Sequence, residues 1–453
     1  MGRPHQLVDW NPEDTTAWQE RNHRIARRNM AWSIATDHVA FGVWTFWSVL
    51  VLFMPESQFG FDASDKFLLL AVNTLVGAIA RVPYTLGIGL LGGRNFTVAS
   101  TLILLVPAAG SIWLLAHPGL PLWPFLVCAA LTGLGGGNFS AAMTNINAFY
   151  PQRLKGWALG LNAGGGNIGV PVIQLFGLLV IAIAGHNQPY WIPATYMLLL
   201  TVTGIGAFFF MDNIADYNVD FAAMKTMFKQ PDTWRLSLLY VGSFGSFIGF
   251  AFALSQVLHL KFIDAGQSAS QASLHAAEIA FVGPLLGSLS RVYGGKLADR
   301  LGGERVTLGV FGGMIFAAAL LIWGSTASDT SGQIKPVAII PYVVGFVVLF
   351  TLAGAGNGSI YKMIPSVFEE RSHTLGLSED DRTRWSKSVG GAMVGFADAV
   401  GAFGGFLIDV ALRQSYLTTH TETPALWIFL VCYIGFAVLT WVVYVRGPVA
   451  DRG

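Results

Sequence analysis

Charge is scarce in this chain: Asp, Glu, Lys and Arg make up 12% of its 453 residues. Soluble domains carry about twice that share, so the composition excludes a water-soluble globular protein of this size. Cysteine is nearly absent. Cys128 and Cys432, the only two, both lie in apolar runs, which excludes a disulfide framework and any cysteine metal site. No metal-ligand spacing occurs, no acid/base pair suggests hydrolysis, and no phosphate-cradling loop precedes a Lys-Ser/Thr. ATP is therefore not the energy source, and neither a cofactor nor a nucleic-acid partner is expected. The first thirty residues are polar and basic, so no cleavable signal sequence is expected.

What the chain has in quantity is apolar sequence. Hydrophobic residues make up 53% of it and the mean hydropathy is +0.55, as in a protein that crosses the bilayer many times. A span needs about 20 apolar residues at 1.5 Å per residue. That length predicts twelve helices, at 31–53, 66–90, 96–117, 121–149, 155–184, 191–212, 235–260, 271–297, 305–326, 336–363, 387–412 and 424–446. The longest polar interruption follows the sixth, and a second polar insert, Glu369 to Lys387, precedes the eleventh. The expected division is a cytoplasmic N-terminal segment (1–30), a six-helix bundle (31–212), a cytoplasmic middle loop (213–234), a second six-helix bundle (235–446) and a cytoplasmic tail (447–453). With both ends cytoplasmic, twenty Lys/Arg fall in cytoplasmic segments and four (Lys66, Lys261, Lys335, Arg413) in external loops. That asymmetry sets the orientation. The expected setting is the lipid bilayer of the cell (inner) membrane, and the expected state is a monomer.

Two arginines interrupt the apolar runs. Sliding one half by 210 positions superposes Arg81 on Arg291, Val82 on Val292, Leu91-Gly92-Gly93 on Leu301-Gly302-Gly303 and Thr97 on Thr307. A guanidinium in the hydrocarbon layer costs roughly 2.5–3.5 kcal/mol on insertion scales, so one in each half requires a reason. An anionic substrate crossing between two related halves supplies it. Arginine's planar fork of donors suits a small planar oxyanion better than the point charge of lysine.

Glycine and asparagine cluster on four of the expected helices, in Gly135-Gly136-Gly137-Asn138-Phe139-Ser140, Gly160-Leu161-Asn162-Ala163-Gly164-Gly165-Gly166-Asn167, Gly354-Ala355-Gly356-Asn357-Gly358-Ser359, and Gly390-Gly391 with Gly395. Each interior glycine costs about 1 kcal/mol relative to alanine. Close helix packing accounts for part of that cost. The pairing between halves adds a role in bringing backbone amides and asparagines against a small polar ligand. The loop Gly294-Gly295-Lys296-Leu297-Ala298-Asp299-Arg300-Leu301-Gly302-Gly303 resembles the cytoplasmic signature of the major facilitator superfamily. The glycine-asparagine segments resemble the nitrate signatures of that superfamily's nitrate/nitrite porter family, and the resemblance covers essentially the whole chain. It implies an all-α, polytopic fold of twelve transmembrane helices in two pseudo-symmetric six-helix bundles. It also implies that Arg81 and Arg291 clamp the anion, flanked by Phe139, Tyr240 and Phe244, with Asn167 as a further contact. Gly164, Gly166, Gly356 and Gly395 are the signature glycines to follow.

Two arginines facing one cavity repel each other. At an assumed ~8 Å and an effective dielectric near 20 the repulsion is about 2 kcal/mol, which favours exchange of one anion for another. An acid beside them would neutralise the empty carrier and take up a proton when the anion displaces it, a route to proton symport. Asp398 occupies, under a 231-residue shift, the place of Asn167, and Asp37 lies beside His38 with Phe41 and Trp44 on one helix face. The Asp37-His38 pair resembles that of the family's proton-symport subgroup, while Asp398 departs from the small polar residue of the exchanger subgroup. The expected activity is therefore alternating-access transport of nitrate or nitrite, driven by protons. Nitrate/nitrite antiport is the alternative, and a passive anion channel or a nitrate sensor stand behind it. No enzymatic activity is expected.

Overall fold

The computed structural model describes residues 5–185, 188–215, 221–326 and 336–446, with side chains from 339 onward in the last stretch. Arg3, Lys335 and the tail 447–453 lie outside the described residues.

Among the described residues run twelve helical spans: α1 (Thr15–Trp44 with Phe46–Phe53), α2 (Ala63–Leu91), α3 (Gly93–Leu115), α4 (Leu122–Phe149), α5 (Gln152–Ala184), α6 (Trp191–Phe210), α7 (Pro231–Asp264), α8 (Ala269–Leu301), α9 (Gly303–Thr326), α10 (Ile339–Leu375), α11 (Glu379–Thr419) and α12 (Thr423–Val445). Eleven are long and apolar enough to cross a bilayer as single helices, and α1 joins them as a pair bent by 45° at Thr45. The fold is all-α and polytopic. Among the described residues its one departure is a parallel pairing of β1 (Gln6–Leu7) with β2 (Asn213–Ile214).

The apolar runs locate every span, but several helices outlast them. Helix α1 begins at Thr15, inside the polar N-terminal segment, where Asp14 caps two backbone amides. Most of the polar insert Glu369–Lys387 is also helical, because α10 reaches Leu375 and α11 starts at Glu379 behind a Ser378 cap. Charge does not end a helix once it leaves the hydrocarbon, and three acids in the first turn of α11 favour it. The middle loop holds a short helix of its own, Phe221–Phe228.

By its contacts the chain forms two compact units, Met1–Leu50 with Val72–Val219, and Val51–Ala71 with Asp220–Gly453. In unit 1, glycines let helix backbones approach. A Cβ on Gly133 would stand 2.7 Å from the Asn73 carbonyl oxygen, joining α4 to α2, and one on Gly169 would strike the His38 carbonyl, joining α5 to α1. In unit 2 the same device joins α8 to α10, where Gly294 meets the Ala355 backbone and Gly358 meets the Arg291 carbonyl. The sequence repeat is realised in both units: α2 and α8 each end at a left-handed glycine, Gly92 (φ 82°) and Gly302 (φ 90°). Lys362 pairs with Asp299 of the loop signature at 2.9 Å, both side chains about half exposed.

Unit 2 also buries an ion pair at the end where α11 turns into α12. Lys261 Nζ lies 2.7 Å from Glu422 Oε1, with both side chains almost fully covered. Ser325 donates to Oε1 at 2.6 Å and Tyr416 to Oε2 at 3.0 Å. Lys261 also lies over the Tyr342 ring at 5.5 Å.

Candidate functional site

Unit 1 carries one arginine half-site. Arg81 lies on α2 two residues before Pro83, which has no N–H to donate to the helical ladder. The residue is 0% exposed. Its guanidinium carbon lies 5.1 Å from the Phe139 ring and 5.4 Å from the Trp44 ring. Desolvated cation–π contacts of this kind contribute ~2 kcal/mol and offset part of the insertion penalty. Trp44 is fixed in turn: its Nε1 donates to the Asn73 carbonyl at 3.3 Å, and its ring meets Phe41 edge-on. The glycine run of α4 makes room for these rings. A Cβ on Gly136 would stand 2.8 Å from the Trp44 indole, and one on Gly137 2.8 Å from the Tyr84 ring.

Helix α5 brings the remaining unit 1 candidates. Gly166 packs directly on the Asp37 carboxylate, and His38 Nδ1 donates to the Gly165 carbonyl at 3.1 Å. Asp37 and Asn167 are both 1% exposed. Among the described residues neither amide atom of Asn167 has a hydrogen-bond partner. An unsatisfied buried polar group costs about 1–3 kcal/mol, so Asn167 is suited to a ligand. Gly156, Gly160, Gly164 and Asn167 share one face by helical spacing, and a Cβ on any of the three glycines would meet nothing within 4 Å.

Unit 2 carries the other half-site. Arg291, on α8, is 8% exposed, and among the described residues its Nη1 and Nη2 have no hydrogen-bond partner of regular geometry. The guanidinium carbon lies 4.7 Å from the Tyr361 ring. The hydroxyls of Tyr240 and Tyr361 and the carboxylate of Asp398 lie within electrostatic reach of it, and Tyr361 can accept a hydrogen bond from it. Tyr240 stacks on Phe244 at 5.2 Å and 15°, and tilts against Tyr361 at 5.5 Å. A π-helical turn, Val241–Gly245, widens α7 between the two stacked rings. Gly401 of α11 gives them room, since its Cβ would stand 2.5 Å from Tyr240. Asp398 is 1% exposed. Gly391 and Gly395 precede it with open space beyond them, whereas a Cβ on Gly356 would stand 3.0 Å from Ser243 and from Val310.

The structure thus groups Arg81 with Phe139 in one unit, and Arg291 with Tyr240, Phe244 and Asp398 in the other. The four signature glycines divide by role: Gly166 and Gly356 are packing contacts, while Gly164 and Gly395 face open space. Two neighbours of the arginines were not singled out as ligands in the sequence. Trp44 had a weak signal, its place on the Asp37 face of α1. Tyr361 had none beyond lying two residues after the glycine-asparagine segment of α10.

The chain is similar to known proteins in sequence and in fold. Residues 38–379 match the model of the Major Facilitator Superfamily. The chain is 36% identical to the nitrate/nitrite transporter NarU of Salmonella typhimurium, over 97% of this chain and 96% of that protein. It is 30% identical to the probable nitrate/nitrite antiporter NarK2 of Thermus thermophilus, again over 97% and 96%. Among solved structures, a D-xylose-proton symporter superposes with a TM-score of 0.70 at 12% identity, covering 95% of this chain and 99% of its own, a likeness of fold alone.

Proposed function

This chain belongs to the nitrate/nitrite porter family of the major facilitator superfamily, and we propose on that premise that it carries nitrate and nitrite across a membrane by alternating access. In this reading Arg81 and Arg291 each offer donors to the same planar anion. Asn167 and Tyr240 supply neutral contacts, and Phe139 and Phe244 exclude bulkier solutes. The observation that carries the reading is the pair of buried guanidiniums, one per unit, each held against aromatic faces.

Net uptake driven by protons is the favoured mode. Its support is Asp398, a buried acid whose charge acts on Arg291. In the empty carrier the carboxylate offsets the guanidinium. An arriving anion takes its place, and the displaced carboxylate loads a proton that travels with the anion. Asp37 and His38, packed on α5 beside Asn167, are further candidates for this role. Nitrate/nitrite exchange is the second reading, favoured by the 30% identity to a relative described as a probable antiporter. We further propose a monomer in the cell (inner) membrane with both termini cytoplasmic.

Labelled nitrate uptake into empty liposomes under an inward proton gradient, against liposomes preloaded with nitrite, separates the modes. Symport predicts uptake into the empty vesicles and its loss in Asp398→Asn. Uptake only after preloading, with Asp398→Asn still exchanging, would overturn symport. No flux in either arm would leave a sensor.

A further inference from the structure

Helix α10 meets α7 along a row of rings. Phe346 lies 5.5 Å from Phe250, Phe350 lies 6.2 Å from Phe247, and Tyr361 lies 5.5 Å from Tyr240. By helical spacing Phe346, Phe350, Asn357 and Tyr361 share one face of α10, so Asn357 interrupts the row with a carboxamide. The part of α7 at its level is the π-helical turn Val241–Gly245. Its two chain neighbours are pinned on either side. A Cβ on Gly356 would stand 3.0 Å from Ser243 of that turn, and one on Gly358 would run into the Arg291 carbonyl. Asn357 is thus held between the π-turn of α7 and the stretch of α8 that carries Arg291.

This amide is buried without being satisfied. Asn357 is 1% exposed and Ser243 is 0% exposed. Among the described residues neither Asn357 Oδ1 nor Ser243 Oγ has a hydrogen-bond partner. Both carry the cost of an unsatisfied buried polar group. A leucine at 357 would have the same branched shape and no such cost, and the rings above and below it show that the row accepts apolar side chains. A ligand explains the amide better than packing does. Its chemistry suits a small oxyanion: Nδ2 can donate to the anion while Oδ1 accepts from a neighbouring hydroxyl.

We propose that Asn357 is a further ligand of the anion, donating from Nδ2 to an oxygen of the nitrate held by Arg291, with Oδ1 accepting from the Ser243 hydroxyl. This rests on the reading of Arg291 as an anion ligand. Unit 2 then carries on α10 the neutral amide that α11 lacks, where Asp398 stands in the place of Asn167.

The test is nitrate affinity of the purified full chain, by calorimetry, beside thermal unfolding without nitrate, for Asn357→Leu, Ser243→Ala and the double variant. Asn357→Leu is expected to raise the nitrate Kd about tenfold, the loss of one hydrogen bond to a charged group. Without nitrate it should unfold at or above the wild-type temperature, because an unsatisfied amide has been replaced by an apolar group of the same shape. Ser243→Ala should weaken binding less, and the double variant should bind within about twofold of Asn357→Leu, since the hydroxyl acts through the amide. The inference is overturned if Asn357→Leu binds within twofold of wild type. A weaker affinity accompanied by a lower unfolding temperature without nitrate would also overturn it, because the amide would then serve packing. So would a Ser243→Ala loss that adds in full to that of Asn357→Leu. Failure of the underlying reading looks different: Arg291→Lys would then bind nitrate as well as wild type.

Discussion

Gly164 and Gly166 are two residues apart on α5 and alike in sequence, yet alanine at each should act in opposite directions. Glycine to alanine inside a helix gains about 1 kcal/mol of propensity at either position. At Gly164 the new methyl meets nothing within 4 Å, so that gain stands and the variant should be stabilised by about 1 kcal/mol. At Gly166 the methyl runs into Asp37 Oδ2, and overpacking in a close helix contact costs about 1–3 kcal/mol. The net for Gly166→Ala is a loss of up to about 2 kcal/mol, with the Asp37 carboxylate pushed out of place. Thermal unfolding in detergent, followed by tryptophan fluorescence, should separate the two variants by about 2 °C or more, with Gly166→Ala the lower. Two equal shifts, or a destabilised Gly164→Ala beside a neutral Gly166→Ala, would refute the assignment of one glycine to packing and the other to open space.

Other outcomes follow from contacts already described. Glu422→Gln leaves the Lys261 ammonium buried beside a neutral amide and should destabilise unit 2 by about 3–5 kcal/mol, read as a lower unfolding temperature. Adding Lys261→Met should recover most of that loss, and no recovery would mean that packing rather than charge sets the cost. Phe139→Leu keeps an apolar side chain but removes a ring from under Arg81. Nitrate affinity should fall about tenfold, the equivalent of ~1.4 kcal/mol of cation–π contact, and unchanged affinity would remove that ring from the site.

The parts of this molecule that were legible in its sequence are those fixed by the bilayer. Twelve apolar runs mark twelve helices because the hydrocarbon layer sets their length, and Arg81 and Arg291 stand out because charge there must be justified. Helix ends beyond the hydrocarbon were not legible. Glu379, Asp380 and Asp381 read as loop residues, yet they suit the first turn of a helix. The break at Thr45 is likewise unmarked by proline or glycine. Within the site, Phe139 could be found through its motif, whereas Tyr361 could not. Its place under Arg291 depends on how closely α8 and α10 approach, which is set by which glycine faces which backbone. The same limit hid the difference between Gly164 and Gly166.

The most direct test of the central claim is nitrate binding by Arg81→Lys and Arg291→Lys, each of which keeps the charge and removes the planar fork. Losing one fork hydrogen bond to the anion should weaken affinity about tenfold or more in either variant, with transport lost in both. Near-wild-type affinity in either would contradict the account, because the anion would then need only a positive charge, or only one half of the molecule.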